Sequence, residues 1–374
     1  MAQWNSNFDR EDFLHNYWQK KPLLIKNAIM DFESPLDANE LAGLALEEDI
    51  ESRIIEHKGD QWKLFHGPFA ESAFAREHPW TLLVQAVDHF VPGVAQLRKL
   101  VDFIPAWRVD DVMISYAVDG GSVGPHYDNY DVFLLQGAGE RVWTLGQRCD
   151  DTSVLIGHDE LRILRDFDKQ HQYTLGAGDI LYVPPGVAHW GVAKGECMTY
   201  SIGFRAPRIT ELLSRSVDTS LEKLAADAFY RDPAMSLNAR AGEIRGEDIQ
   251  AAKEQLLAAL VAQTDDSWFG ELVTEPKYDI EIEQASTNTG AISELTSALV
   301  LLPEAKLAWQ EKSDKIVVYA NGEALHHDRA ILPTVLALCE NWILEGVQLE
   351  QAVDSSHCSL LLEQLLERGC LELE

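Results

Sequence analysis

Cysteine is scarce and unpatterned in this 374-residue chain: Cys149, Cys197, Cys339, Cys358 and Cys370 are odd in number and include no CxxC pair. Such spacing argues against a disulfide framework or a zinc knuckle and for a reducing, cytoplasmic setting. Long apolar runs are missing too. No window is apolar enough to span a bilayer, and the opening MAQWNSNFDREDFLHNYWQKKP is charged from the start, with no signal-peptide core. Positive charge is also in short supply. Against 61 Asp and Glu stand 31 Lys and Arg, a formal net charge of −30. A surface of that sign repels nucleic acid and anionic membranes, and it would steer a basic partner towards itself.

The length is too great for one ordinary core, so two or three domains are expected. Residues 1 to about 90 read as mostly helical, with Trp4, Phe8, Phe13, Tyr17 and Trp18 at helix-like intervals and KKPLLIKNA (20–28) as a strand. From about 104 to 206 the texture becomes β-rich. The runs DVMISYAV, DVFLLQG, RVWTLG, DILYVPPG and MTYSIGF alternate with Gly, Asp and Pro, which suits an antiparallel barrel or jelly roll. Two amphipathic helices follow, at 210–230 and 246–263, whose leucine stripes predict packing on the barrel or on a second copy of the chain. Beyond about 280, ISELTSALVLL and PTVLALCENWILEG read as helices around a hairpin with Asn321-Gly322 at its turn, a winged-helix-like pattern. Residues 291–374 carry 14 acidic and 5 basic side chains, a net of −9. That is the wrong sign for reading DNA, so a protein-contact role is expected.

Chemistry concentrates in GPHYDNYD (124–131). If this is a strand, His126 and Asp128 share a face and converge inside the barrel. A third ligand is available 61 residues after Asp128: His189, in GAGDILYVPPGVAHWGVA, beyond a tight Pro-Pro-Gly bend. Two histidines and one carboxylate occupy one triangular face of an octahedron and leave three positions open, as non-heme Fe(II) oxygen chemistry requires. Zinc favours four closed positions, often with thiolate, and no cysteine is near in sequence. The alternative is two hydrogen-bonded barrel histidines and a turn aspartate.

Arg141, between Glu140 and Val142-Trp143 on the next strand, needs an anion partner if it points inward, and its fork matches a carboxylate. A 2-oxoglutarate molecule could chelate the metal at one end while Arg141 grips the other; facing outward, Arg141 would pair with acids such as Glu140. Ser115 could add a hydrogen bond to that carboxylate or simply satisfy backbone.

These residues resemble the JmjC oxygenases, Fe(II)/2-oxoglutarate enzymes on a double-stranded β-helix. MISYAVDGGSVGPHYDNYDVFLLQGAGERVWTLG, GDILYVPPGVAHWG and YSIGFRAPR look closer still to the bacterial ribosomal oxygenases of the arginine-hydroxylating type. The resemblance implies an α+β protein: a jelly-roll, cupin-like JmjC domain with N-terminal helices (1–208, β-helix core about 100–206), a helical dimerisation region (209–279) and an acidic winged-helix-like domain (280–374). It implies His126, Asp128 and His189 as iron ligands, Arg141 with Ser115 as the 2-oxoglutarate clamp, and dioxygen as oxidant. It further implies a homodimer in the cytoplasm, with a basic ribosomal protein as substrate, the sixteenth of the large subunit, hydroxylated on an arginine. For the rim of such a pocket, Asp119 and Asp131 offer negative charge, and Tyr116, Tyr127, Tyr130 and Trp190 offer walls, although turn acids and core aromatics are ordinary fates for them. Two rivals stand beside this reading: demethylation of methylated lysine or arginine on the same iron, and a non-enzymatic acidic escort of a basic ribosomal protein.

Overall fold

The computed structural model describes residues 3–225, 227–234, 240–262, 266–278 and 297–374. The chain divides into two compact units, Met1–Ala206 and Pro207–Glu374.

In the first unit, strands β1 (Leu23–Ile25), β2 (Ser52–Lys58), β3 (Gln61–His66), β4 (Trp80–Val84), β5 (Val109–Ala117), β6 (Val132–Arg148), β7 (His171–Leu175), β8 (Ile180–Val183) and β9 (Val187–Phe204) form one antiparallel sheet. Its order is β1-β8-β6-β9-β5-β4-β2-β3, with β7 pairing the second half of β6 on the same edge as β8. The long strands β6 and β9 pair along most of their length, with register shifts around Ala138. Gly139 has φ +62°, and a side chain there would collide with the Glu196 carbonyl oxygen, so only glycine fits this bend.

Two short helices, α1 (Arg10–Asn16) and α2 (Ala38–Leu44), lie in the N-terminal segment, capped by Asp9 and by an Asp37–Glu40 capping box. The N-terminal segment is otherwise less helical than its sequence predicts, because β2, β3 and β4 extend the barrel sheet. Every residue of WTLLV in β4 is buried, so no alternation marks it as a strand. One face of β6, β8 and β9 packs Phe133, Tyr182 and Phe204 against Phe13 and Trp18, with the Phe13 and Tyr182 rings 4.8 Å apart edge to face. The opposite face, which carries Val132, Leu134, Trp143, Leu145, Leu181 and Val183, forms a separate apolar cluster inside the barrel.

In the second unit, α3 (Ile209–Lys223) is shorter than the 210–230 helix expected from its stripe, ending at Leu224. Helix α4 spans Gly246–Val261 and α5 spans Ser267–Thr274. Strands β11 (Leu307–Lys312), β12 (Lys315–Ala320) and β13 (Glu323–Asp328) form an antiparallel meander, preceded by β10 (Ala298–Leu301). The β12–β13 turn is Asn321-Gly322, both with positive φ, as two-residue hairpins prefer. Helix α5 lies on this meander: a side chain at Gly270 would strike the Tyr319 ring. Helices α6 (Leu332–Asn341), α7 (Gly346–Asp354) and α8 (Ser356–Glu367) follow, with β14 (Ile343–Glu345) and β15 (Leu371–Leu373) pairing on either side of β10. The described part of ISELTSALVLL is therefore strand rather than helix; its first residues, and the expected 279/280 boundary, lie outside the described residues.

A candidate metal centre with a carboxylate clamp

The segment around GPHYDNYD is not a regular strand. It is an extended loop held to β9 by two isolated bridges, Ser122 to Val192 and His126 to His189. Across the second bridge the His126 amide donates to the His189 carbonyl at 3.0 Å and the reverse bond is 2.8 Å. The Pro-Pro-Gly bend completes the frame. Gly186, at φ +74°, donates its N–H to the Asp128 carbonyl at 2.8 Å, and a side chain there would come within 2.9 Å of the Cys149 oxygen. Gly124, also at positive φ, supplies the carbonyl that accepts from His126 Nδ1 at 2.9 Å.

His126, Asp128 and His189 each offer a donor atom, and these atoms lie within 4.8 Å of one another. The Asp128 carboxylate is 3.5 Å from His189 Nε2 and 4.0 Å from His126 Nε2. His189 Nδ1 meets the Val187 carbonyl at 3.0 Å. With Nδ1–H donated to backbone on both rings, each Nε2 lone pair is turned towards the carboxylate, the tautomer a metal needs. Burial, reinforced by the neighbouring His126, pushes the His189 imidazole down to about 4, so it is neutral at ordinary pH and free to donate its lone pair. The Tyr130 hydroxyl hydrogen-bonds Asp128, and that carboxylate raises the phenol above its usual value.

The ladder between β6 and β9 sets the rest. Arg141 pairs with Ala193, Trp143 with Gly191 and Leu145 with His189, so all six point to one face. Arg141 is 4% exposed, which removes the solvent-facing alternative, and its Nη1 donates to Ser115 Oγ at 3.1 Å. Its Nε and Nη2 are buried without a partner. A buried guanidinium with two idle N–H groups is costly unless an anion completes it, and a carboxylate has the matching two-pronged geometry. The residues thus fit both a metal with open positions and a dicarboxylate reaching from it.

Several expected pocket residues turn elsewhere. Tyr116 alternates with Ser115 on β5 and packs outward against Trp80, 5.7 Å between ring centres. Tyr127 alternates with the two ligands, clusters with Leu164 and Ala188, and donates to the Asp150 carbonyl at 2.6 Å. Trp190 points away from His189 and donates to Ser122 Oγ at 2.9 Å. Asp131 is wholly buried, not at a rim; burial pushes its carboxyl up, while Tyr182, Gln19 and Arg108 all donate to it and pull it back. Asp119 is exposed and caps the Gly195 amide at 2.7 Å, and Tyr130 is 42% exposed beside Asp128. Trp143 stands two residues beyond Arg141 in sequence, and strand alternation puts it on the same interior face.

A barrel of this topology, holding an open His-Asp-His set and a buried arginine, is that of a JmjC-domain protein, and the family profile described as "JmjC domain" matches residues 96–212. A second profile, "AraC-like ligand binding domain", matches 167–276. The chain is 34% identical over 363 residues to the Escherichia coli "Ribosomal protein uL16 3-hydroxylase", covering 96% of each. It is 32% identical to the Haemophilus influenzae "Probable ribosomal oxygenase", over 87% of this chain and 84% of that one. Among solved structures, E. coli YcfD, a ribosomal oxygenase, in complex with cobalt and 2-oxoglutarate superposes with a TM-score of 0.85 at 33% identity, with both chains fully covered. YcfD with cobalt and succinic acid gives the same figures. This chain belongs to the JmjC ribosomal oxygenases.

Proposed function

We propose that this chain is an Fe(II)- and 2-oxoglutarate-dependent hydroxylase of an arginine side chain in ribosomal protein uL16, the sixteenth protein of the large subunit. The observation that carries the reading is the coexistence, inside one barrel, of three converging metal donors and a buried guanidinium with unsatisfied N–H groups. The name of the E. coli relative supports uL16 as the substrate protein, and the motif resemblance supports an arginine as the residue.

On this reading His126, Asp128 and His189 hold the iron, and Arg141, braced by Ser115, grips the far carboxylate of 2-oxoglutarate. When bound, iron and 2-oxoglutarate supply the oxidising power: dioxygen is consumed, the keto acid is decarboxylated to succinate, and a C–H bond becomes C–OH. The chain's own residues position and protect. Backbone carbonyls keep both imidazoles in the donor tautomer, Tyr130 steadies the Asp128 carboxylate, and the apolar interior around Leu134, Trp143 and Leu145 keeps water from the reacting groups. The exposed Asp119 and Tyr130 are the rim groups suited to an incoming cationic side chain, and the net charge of −30 favours a basic protein.

Helices α3 and α4 leave Leu213, Leu221, Leu256 and Leu257 more than half exposed, the faces through which the chain pairs with a second copy. The acidic C-terminal domain (280–374), winged-helix-like in its meander and helices, serves protein contact. The setting is cytoplasmic; among the described residues no helix is long and apolar enough to cross a membrane.

The experiment is incubation with iron, 2-oxoglutarate and a uL16 peptide containing arginine, read by intact mass. Gain of one oxygen, stoichiometric with succinate, is expected. Formaldehyde from a methylated peptide without that gain would instead identify a demethylase, and binding without any product an escort.

A further inference from the structure

The barrel interior holds a third idle donor. Trp143 is 4% exposed, and its indole Nε1 is buried with no hydrogen-bond partner. A buried indole N–H normally finds an acceptor, because leaving it dry forfeits the bond it made to water. Its position is specific. On the β6–β9 ladder Trp143 stands one same-face step from Arg141 and one from Leu145, whose partner is His189. The ring lies 5.7 Å from the Arg141 guanidinium carbon and 5.8 Å from the His189 ring centre. Opposite it the chain has Gly191, where a side chain would meet the Trp143 ring at 2.7 Å, so the cross-strand position is empty to admit the indole. Three unsatisfied N–H groups, Arg141 Nε and Nη2 and Trp143 Nε1, therefore occur on neighbouring inward positions of a single strand.

We propose that Trp143 is a co-substrate-binding residue, whose indole N–H donates to a carboxylate oxygen of the dicarboxylate that Arg141 grips. The inference rests on the proposed 2-oxoglutarate reading and deepens it. The guanidinium offers two idle N–H groups and a carboxylate has more acceptor sites than that, so the indole adds a donor from a second direction and fixes the rotation of the carboxylate. A tryptophan there thus binds by hydrogen bonding as well as by packing.

The test replaces the single atom. Incorporating benzothienylalanine at position 143 keeps the ring's size and removes its N–H; Trp143→Phe is the genetically simple companion. Binding of 2-oxoglutarate and of succinate is measured calorimetrically with Mn(II) under nitrogen, and Mn(II) binding alone is measured by electron spin resonance. The expected result is a loss of roughly 10- to 100-fold in 2-oxoglutarate affinity with unchanged Mn(II) affinity, since the acceptor is charged. Unchanged 2-oxoglutarate affinity in the benzothienyl protein, beside a wild type that binds it, overturns the role of Trp143 alone. Weakened Mn(II) binding in parallel overturns it in favour of a packing role at His189. A wild type that binds Mn(II) but no 2-oxoglutarate overturns the underlying reading as well.

Discussion

The Gly186 amide donates to the Asp128 carbonyl at 2.8 Å, so the bend that leads into the His189 strand also fixes the carboxylate opposite. Two segments of the candidate donor set, 61 residues apart, are thereby held by one turn. Gly186→Ala forces a side chain into positive φ and against the Cys149 oxygen. A cost of about 1–3 kcal/mol is expected, with a lower melting temperature and weaker metal binding, both measurable by calorimetry with and without Mn(II).

Asp128→Ala removes the only carboxylate of the donor set and leaves the two imidazoles. Its side chain is partly exposed, so the barrel should keep its melting temperature. Metal affinity should fall by more than about 100-fold, the upper range for losing even an outer partner, and uL16 peptide should return from incubation unmodified.

Asp131 is predicted to matter for stability rather than for substrate. Asp131→Ala strands Arg108, Tyr182 and Gln19 around a void, and breaking a buried ion pair from one side costs about 3–5 kcal/mol. Chemical denaturation should show that loss. A variant of normal stability with a raised KM for peptide would return Asp131 to the pocket.

Cys370 gives the second unit an alkaline weakness. Burial pushes its thiol up to about 12 from an ordinary value of 9.0. Above pH 9 the unfolded chain releases this proton while the folded chain keeps it, so stability is full below pH 9 and declines towards pH 12. At pH 10.5 the loss from this group is about 2 kcal/mol. Urea titrations of wild type and Cys370→Ala at pH 8 and 10.5 should show the alanine variant's deficit shrinking at the higher pH.

On the proposed pairing through α3 and α4, Leu213→Glu with Leu257→Glu should yield a monomer by light scattering with an unchanged circular dichroism spectrum, because both side chains are more than half exposed in the single chain. A dimer that survives both changes would place the self-contact elsewhere.

The chemistry was more legible than the walls around it. His126, Asp128, His189 and Arg141 stand out in the sequence because an imidazole–carboxylate pair, a Gly-Asp-strand-Pro-Pro-Gly block and an arginine on an apolar strand are each unusual, and the structure brings the first three together and buries the fourth. Backbone alternation decides the aromatics: Tyr116, Tyr127 and Trp190 each adjoin a candidate site residue in sequence and for that reason face the other way. β4 gives no strand signal because a strand buried on both faces has no period, and β10 reads as helix because ALVL is equally apolar in either form. Asp131 illustrates the limit of composition, since only coordinates reveal that three donors from distant segments close over it.

The pairing of Arg141 with Ala193 and of Leu145 with His189 has a consequence for which acids can serve. The rungs of Arg141 and His189 stand four apart on a single ladder, roughly 13 Å along the backbone at the usual rise per residue, and the arginine's reach subtracts from that span. On the proposed roles of these two residues the barrel is a gauge: a molecule bridging both ends would have a fixed number of carbons. Moving the gauge by one rung would turn the guanidinium out of the barrel altogether, so chain length among dicarboxylates can be reset only in steps of two.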